Sequence, residues 1–386
     1  MSKDASDAER ASAPTTVPEL TQALPTKEPI QLLAADGTLA VPELAAGYAM
    51  PDAETLLELH RAMVVARRFD TQVTALTRQG RLATYPSALG QEAAEIAAVK
   101  VLRDTDWLFP TYRDSIALLT RGVPGASILA FFRGDWHMSF DPYDHCVSPQ
   151  ATPLATQTLH AVGFGTAAVR KGEDTVCLTF VGDGATSEGD THEALNFAAV
   201  WNAPVVFLVQ NNQYAISTPT HRQFTSRSLA DRAVGYGMPG KMVDGNDAAA
   251  MHAVLSEAVE RARSGQGPTL IEARTYRIES HTNSDDPTRY REDSEREEWR
   301  KKDPIARLEA HLRSTGDLDD ERLAKVTEEA EALAAATRDA MNAEPELDPL
   351  ELFDHVYANE RPALREQREY LAAELAARVD AEGGRN

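Results

Sequence analysis

Residues 175–218 restrict the fold more than any other stretch, because two short apolar runs flank a helical pattern and each run ends in polar residues. The first run, Thr175 to Val181, is unbroken and predicts a strand buried on both faces. Gly182-Asp183-Gly184 follows as a turn, and a helix is expected from about Ser187 to Trp201 with Glu188 in its first turn. A second buried strand, Pro204 to Val209, ends in Asn211-Asn212. Strands joined by a helix in this way are parallel, and parallel strands end on the same edge of a sheet. Asp183 and Asn212 are therefore expected side by side, although about thirty residues separate them.

That edge is where open α/β sheets take ligands. A carboxylate, a carboxamide and a nearby backbone carbonyl are hard oxygen donors, and such a set suits Mg²⁺, which completes its octahedron with phosphates and water. Glycines on both sides of Asp183 let the backbone approach a diphosphate, and the helix beyond them would offer unpaired amides. Taken separately, Gly-Asp-Gly and Asn-Asn are ordinary turn residues. Their placement at the ends of successive buried strands favours the ligand-binding alternative. A competing pattern, Gly163-Phe164-Gly165-Thr166-Ala167-Ala168 with Asp183 further on, fits a loose dinucleotide fingerprint. The residues ahead of it, Gln157 to Val162, make a poor strand, which weighs against a nicotinamide-binding oxidoreductase.

The remainder reads as an α/β protein with a mostly parallel sheet flanked by helices. A helix starts at Asp52 as N-cap and runs to about Gln79, with Leu56, Leu59, Met63, Ala66, Phe69, Val73 and Leu76 on one face. The helix from Gln157 to about Arg170 is dense in small residues, which fits an interface between subunits or plain internal packing. Further strands are expected at Met242 and from Pro268 to Tyr276, and beyond the latter stands His281 in a polar loop beside Asp285 and Asp286. A histidine there can titrate and donate to an anion, or can be merely solvated. Tyr112-Arg113 could stack on a ring and clamp a phosphate, or could be a surface pair. The expected division is a flexible tail over residues 1–30, an α/β domain over 31–303 and a helical region over 304–386.

Sixty acidic against 39 basic residues, a net charge of −21, argue against nucleic acid or an anionic membrane as partner. The two cysteines, Cys146 and Cys177, imply no disulfide framework and fit a reducing compartment. No apolar run approaches the length of a membrane span. The polar, acidic segment from Met1 to Arg10 matches neither a signal nor a transit peptide, so a cytoplasmic location is expected.

Together, Gly182-Asp183-Gly184, Glu188-Gly189, Asn196, Ala203-Pro204 and Asn211-Asn212 resemble the signature of thiamine-diphosphate enzymes. From about residue 55 to 365 the chain resembles the alpha subunit of the decarboxylating component of 2-oxo acid dehydrogenases, the branched-chain type first and the pyruvate or acetoin type next. The resemblance implies a thiamine-diphosphate-binding fold with a helical C-terminal appendage, and thiamine diphosphate and Mg²⁺ as cofactors. It implies Asp183 and Asn212 as side-chain metal ligands and the Tyr214 carbonyl as a third. Gly182, Gly184 and Ala185 would lie near the diphosphate, Tyr112 and Arg113 would secure the cofactor, and Leu154 would support its bent shape. Thr156 and Gln157 would line a monovalent-ion site, and His281 would be the catalytic residue that helps hand the acyl group to a lipoyl group. A beta subunit would supply the missing acid of the active site in an α₂β₂ heterotetramer, which feeds a lipoylated acyltransferase in branched-chain amino acid degradation.

Some positions depart from the family pattern. Gln210 stands where some branched-chain members carry an arginine for the diphosphate, and Thr282 stands where animal relatives carry a phosphorylated serine. Residues 133–153 depart as well, so no function passes to His137 or His145. A non-catalytic partner that keeps the fold is the remaining alternative.

Overall fold

The computed structural model describes residues 24–134, 140–343, 347–354 and 356–383. Its centre is one sheet of five parallel strands: β1 (Trp107–Phe109), β2 (Cys177–Gly182), β3 (Val205–Asn211), β4 (Gly240–Asp244) and β5 (Thr269–Arg274). Their order across the sheet is β1-β2-β3-β5-β4. Every residue of β3 is buried, which explains why its sequence lacks the alternation of a half-exposed strand. The register pairs Gly182 with Gln210, and Arg274 with both Asn211 and Asp244, so the carboxyl ends of four strands lie on one edge.

Alternate strand residues feed two separate cores. Leu178, Phe180, Val206, Leu208 and Ile271 meet α1 (Ala53–Arg78), α2 (Glu92–Lys100) and α6 (Ala248–Arg263), together with α3 (Gly125–Arg133). Cys177, Val181, Val205, Phe207 and Val209 meet α4 (Thr156–Lys171) and α5 (Gly189–Val200). Each fully buried side chain of this size stabilises the fold by about 1.5–3 kcal/mol, and truncating Phe180 or Phe207 to alanine would cost about 3–5 kcal/mol. The cap of α1 is as expected: the Asp52 carboxylate accepts from the Thr55 amide at 2.8 Å, and the apolar stripe from Leu56 to Leu76 is buried.

The dinucleotide-like glycines lie inside α4, with no strand leading into them. Gly165 is explained by packing, since a Cβ there would sit 3.3 Å from the Pro204 ring, whereas Gly163 faces open space. No strand-to-helix turn exists at this point to cradle a pyrophosphate.

The ends of the chain pack differently from the simple division into tail, domain and appendage. A tail was expected to reach residue 30, but the buried Ile30 bridges β4: its amide donates to Met242 at 2.8 Å and its carbonyl accepts from Asp244 at 3.0 Å. Residues 1–23 of that expected tail lie outside the described residues. In the C-terminal region, α8 (Pro304–Thr315) and α9 (Asp320–Asn342) follow the charged helix α7 (Asp293–Arg300) and place Leu308, Leu312 and Met341 in the main core. By contrast, α10 (Pro362–Gly383) packs chiefly on the short turn Pro349–Phe353 and leaves Tyr370 exposed. Among the described residues no helix is long and apolar enough to cross a membrane.

Candidate active site

A cavity of about 580 Å³ opens at the carboxyl edge of the sheet. The ten residues expected to hold the cofactor and metal or to act in catalysis all line it: Tyr112, Arg113, Leu154, Gly182, Asp183, Gly184, Ala185, Asn212, Tyr214 and His281. Topology accounts for this convergence, because the first residues past β2 and β3 and the loops after β1 and β5 all leave the sheet on that side.

Asp183 is the first residue beyond β2 and is only 2% exposed. Its Oδ2 accepts from Gln223 Nε2 at 2.6 Å. Burial pushes its carboxyl up to about 6, opposed by the Gln223 hydrogen bond, the Gly184 amide and the charge of Arg277. Asn212, just beyond β3, donates from Nδ2 to Gln91 Oε1 at 2.9 Å, while its Oδ1 is approached by the Tyr214 amide at 3.4 Å. The carbonyl of Tyr214 accepts from Arg277 Nη1 at 3.2 Å. Three kinds of hard oxygen donor thus come from two strand tips and the hairpin that follows. Among the described residues no three His, Cys, Asp or Glu side chains group together as a metal cage. A set with a single carboxylate fits a cation that brings phosphate oxygens and water of its own.

The glycines flanking Asp183 have different reasons. A Cβ on Gly182 would meet nothing within 4 Å, so that residue leaves the cavity floor open. A Cβ on Gly184 would lie 2.6 Å from the Ala215 Cβ, so that glycine is required by the short antiparallel pair Tyr214–Ala215 and Thr218–Pro219. The expected helix from Ser187 also starts later, since a 3₁₀ turn over Gly184–Ser187 comes first and α5 begins at Gly189. The Asp183 carbonyl holds this turn, accepting from Thr186 Oγ1 at 2.6 Å.

In the same cavity, Arg113 is buried and donates from Nη1 to the Ser87 carbonyl at 2.9 Å. Its Nη2 lies 3.1 Å from His281 Nδ1 and donates to the His281 carbonyl at 3.2 Å. Because a guanidinium can only donate, this contact assigns the lone pair to Nδ1 and the proton to Nε2. Burial, then Arg113 and Arg277, lowers the His281 imidazole to about 4, so it is neutral at pH 7. The Tyr112 ring stands edge-on to it, with centroids 6.1 Å apart. The His281 amide donates to Asp285 Oδ2 at 2.9 Å, and Arg291 donates to the carbonyls of Ile278 and Glu279 at 2.8 Å each, which fixes the loop.

Leu154 stands at the rim, 45% exposed. Gln157 lines the cavity and donates to the Phe180 carbonyl at 2.8 Å, and Thr156 opens α4. His145 ends the short helix Pro142–His145 away from the cavity lining, and His137 lies outside the described residues.

Several lining residues carried no sequence signal of their own. Gln91 stands one residue ahead of α2, Arg277 lies four residues before His281, and Ala83, Pro86, Phe131, Phe132 and Ile216 form an apolar wall. Gln210 donates to Asp114 Oδ1 at 2.7 Å, so at this family-variable position the side chain satisfies a buried acid, which burial pushes up to about 6. Pairings such as Gln91 with Asn212 span 121 residues, and only the sheet brings them together.

Comparison with known proteins places these features in context. The dehydrogenase E1 component family model matches residues 60–350. The chain is 50% identical over 349 residues to the 3-methyl-2-oxobutanoate dehydrogenase subunit alpha of Mycobacterium tuberculosis, covering 90% of this chain and 95% of that relative. It is 38% identical over 347 residues to the pyruvate dehydrogenase E1 component subunit alpha of Staphylococcus aureus, covering 89% and 92% respectively. To the subunit of the same name in Acholeplasma laidlawii it is 40% identical over 321 residues, covering 82% and 92%.

Proposed function

Because the chain belongs to the dehydrogenase E1 component family, as an alpha subunit of a 2-oxo acid dehydrogenase, we propose that it catalyses the oxidative decarboxylation of branched-chain 2-oxo acids with thiamine diphosphate and Mg²⁺. The supporting observation is that Asp183, Asn212, Tyr214 and a neutral His281 line one cavity. The cofactor, when bound, supplies the carbanion that attacks the 2-oxo carbon and accepts the electrons left by decarboxylation.

The chain's own groups bind, orient and move protons. Asp183 and Asn212 would hold Mg²⁺ against the diphosphate, with the Tyr214 carbonyl as third ligand once Arg277 shares or releases it. Gly182 would leave room for the phosphates, and the amides of Gly184 and Ala185 would donate to them. Arg113 would add a cationic clamp and Tyr112 a flat contact surface, while Leu154 would support the middle of the cofactor. His281, with its proton on Nε2, can donate to the anionic oxygen of a bound intermediate and take the proton back during acyl transfer. The apolar wall of Ala83, Pro86, Phe131 and Phe132 favours an aliphatic acyl chain.

We further propose an α₂β₂ assembly in the cytoplasm, whose beta subunit supplies the carboxylic acid that activates the cofactor, and delivery of the acyl group to a lipoylated acyltransferase. A pyruvate-preferring enzyme is the second reading, favoured by the relatives named for pyruvate. Steady-state rates of the chain assembled with its beta subunit separate the two: kcat/KM should be higher for 3-methyl-2-oxobutanoate than for pyruvate, and the reverse order would assign the pyruvate type. Full decarboxylation by the isolated chain would contradict the shared active site.

A further inference from the structure

The cation ligands are themselves held by two glutamines. Gln91 is fully buried, and its Oε1 accepts from Asn212 Nδ2 at 2.9 Å. At the other expected ligand, Gln223 Nε2 donates to Asp183 Oδ2 at 2.6 Å and to the Thr218 carbonyl at 2.8 Å.

A carboxamide has an oxygen at one end and an NH₂ at the other, and only the oxygen can face a cation. Asn212 could turn end for end about its last side-chain bond unless both ends are engaged. Here Gln91 takes Nδ2, and the Tyr214 amide, which can only donate, approaches Oδ1 at 3.4 Å. The Tyr214 contact is long and weak, so the 2.9 Å bond to Gln91 carries most of the orientational preference.

The Gln91 backbone is also well placed to resist movement. Its amide donates to the Ala88 carbonyl at 2.9 Å, and its carbonyl accepts from Glu95 at 3.2 Å in the first turn of α2. The preceding Gly90 has φ +97° and lies against the end of β5, where its carbonyl accepts from Thr275 Oγ1 at 2.6 Å. A Cβ on Gly90 would collide with the Tyr276 carbonyl. The Gly90-Gln91 turn is thus locked to the strand neighbouring the one that carries Asn212.

We infer that Gln91 is a positioning residue for the divalent cation: it holds the Asn212 carboxamide with its oxygen turned to the metal, as Gln223 holds the Asp183 carboxylate. This rests on the proposed cation site at Asp183 and Asn212 and adds to it the groups that fix ligand orientation.

The test is Mn²⁺ affinity, read from the electron paramagnetic resonance of free Mn²⁺ with saturating thiamine diphosphate, on the full chain co-purified with its beta subunit. Gln91→Leu removes the acceptor and should weaken Mn²⁺ binding about 10- to 100-fold, whereas Gln91→Glu keeps an acceptor oxygen and should stay within about threefold of wild type. If Gln91→Leu does not fold, Gln91→Met carries the same expectation. The decisive comparison uses the Asn212→Asp background. A carboxylate presents oxygen at both ends, so removal of the Gln91 acceptor should then have no further effect. An undiminished affinity in Gln91→Leu, or a loss that persists unchanged in the Asn212→Asp background, overturns the inference. Asp183→Ala separates this from failure of the site itself: if Asp183→Ala also leaves Mn²⁺ affinity unchanged, the cation is not held here and both ideas fall.

Discussion

Two turns that carry aspartates stand on the same edge of the sheet, one after β2 and one after β4, and they treat their charge in opposite ways. Asp247 is completely buried, yet its Oδ2 accepts from the amides of Leu32 and Leu33 at 2.7 Å each, and its Oδ1 from Ala250 at 3.1 Å. Asp244 takes Arg307 Nη1 at 2.9 Å and Gln31 Nε2 at 2.6 Å, and Arg307 also lies 3.7 Å from Asp247. Neither aspartate lines the cavity. Asp183 faces the cavity instead, and its carboxylate is bonded to the uncharged Gln223. The carboxylates of the β4 turn are engaged within the chain by Arg307, Gln31 and backbone amides, and they tie α8 and the N-terminal segment to the sheet. The β2 turn has no cation of the chain bonded to its carboxylate among the described residues, as the proposed metal site requires.

The contrast is sharpest in how each turn should respond to loss of one group. Arg307→Met leaves two buried carboxylates without their guanidinium and should cost about 3–5 kcal/mol in a denaturant melt. Asp183→Asn removes a charge that burial already disfavours, so the melt of the cofactor-free chain at pH 7 should not fall. Its activity with the beta subunit should fall about 10²- to 10³-fold. Equal stability losses in the two variants would erase the distinction.

The pH dependence separates the turns further. The folded Asp183 carboxyl sits at about 6, above its usual value, so its contribution to stability is complete at low pH and is lost as pH rises through about 6. Without cation, thermal melts from pH 4 to 7 should therefore show a decline that Asp183→Asn reduces by about 1–3 kcal/mol. Asp70 and Asp114, both pushed up to about 6 by burial, act in the same window and leave a residual decline. Mg²⁺ with thiamine diphosphate should reverse the Asp183 part, because the ionised form is then the bound one. His281 works in the other direction: lowered to about 4, it stabilises the fold above its usual range, and that contribution is lost as pH falls through about 4. Its ring proton resonances should titrate near that value in an NMR series. A midpoint near the ordinary value for histidine would contradict the burial of the ring beside Arg113 and Arg277.

The smallest expected effect concerns the rim. Leu154 is 45% exposed, and Leu154→Ala should raise the half-saturating thiamine diphosphate concentration by no more than about fivefold.

The elements that separate these turns were unevenly legible in the sequence. Strand periodicity and the Gly-Asp-Gly and Asn-Asn tips pointed to the cavity, since parallel pairing converts sequence position into place on an edge. His281 was legible for the same reason, as the polar loop beyond a buried strand. Gln91 and Gln223 were not, because a glutamine in a loop has no periodicity and its partner is chosen by tertiary contact. The β4 turn, Asp244-Gly245-Asn246-Asp247, looks as much like a ligand site as the β2 turn does. Only the arrival of Arg307 from 63 residues away shows that its charge is already satisfied. The same arginine explains why α8 belongs to the main body, although its sequence reads as part of an outlying helical region.

The most direct measurement is anomalous diffraction from crystals of the chain with its beta subunit, soaked in Mn²⁺ and thiamine diphosphate. The expected result is one peak about 2.1 Å from both a carboxylate oxygen of Asp183 and Oδ1 of Asn212, with none at Asp244 or Asp247. A peak elsewhere, or bound thiamine diphosphate with no metal between Asp183 and Asn212, would contradict the assignment of the β2 turn to the cation.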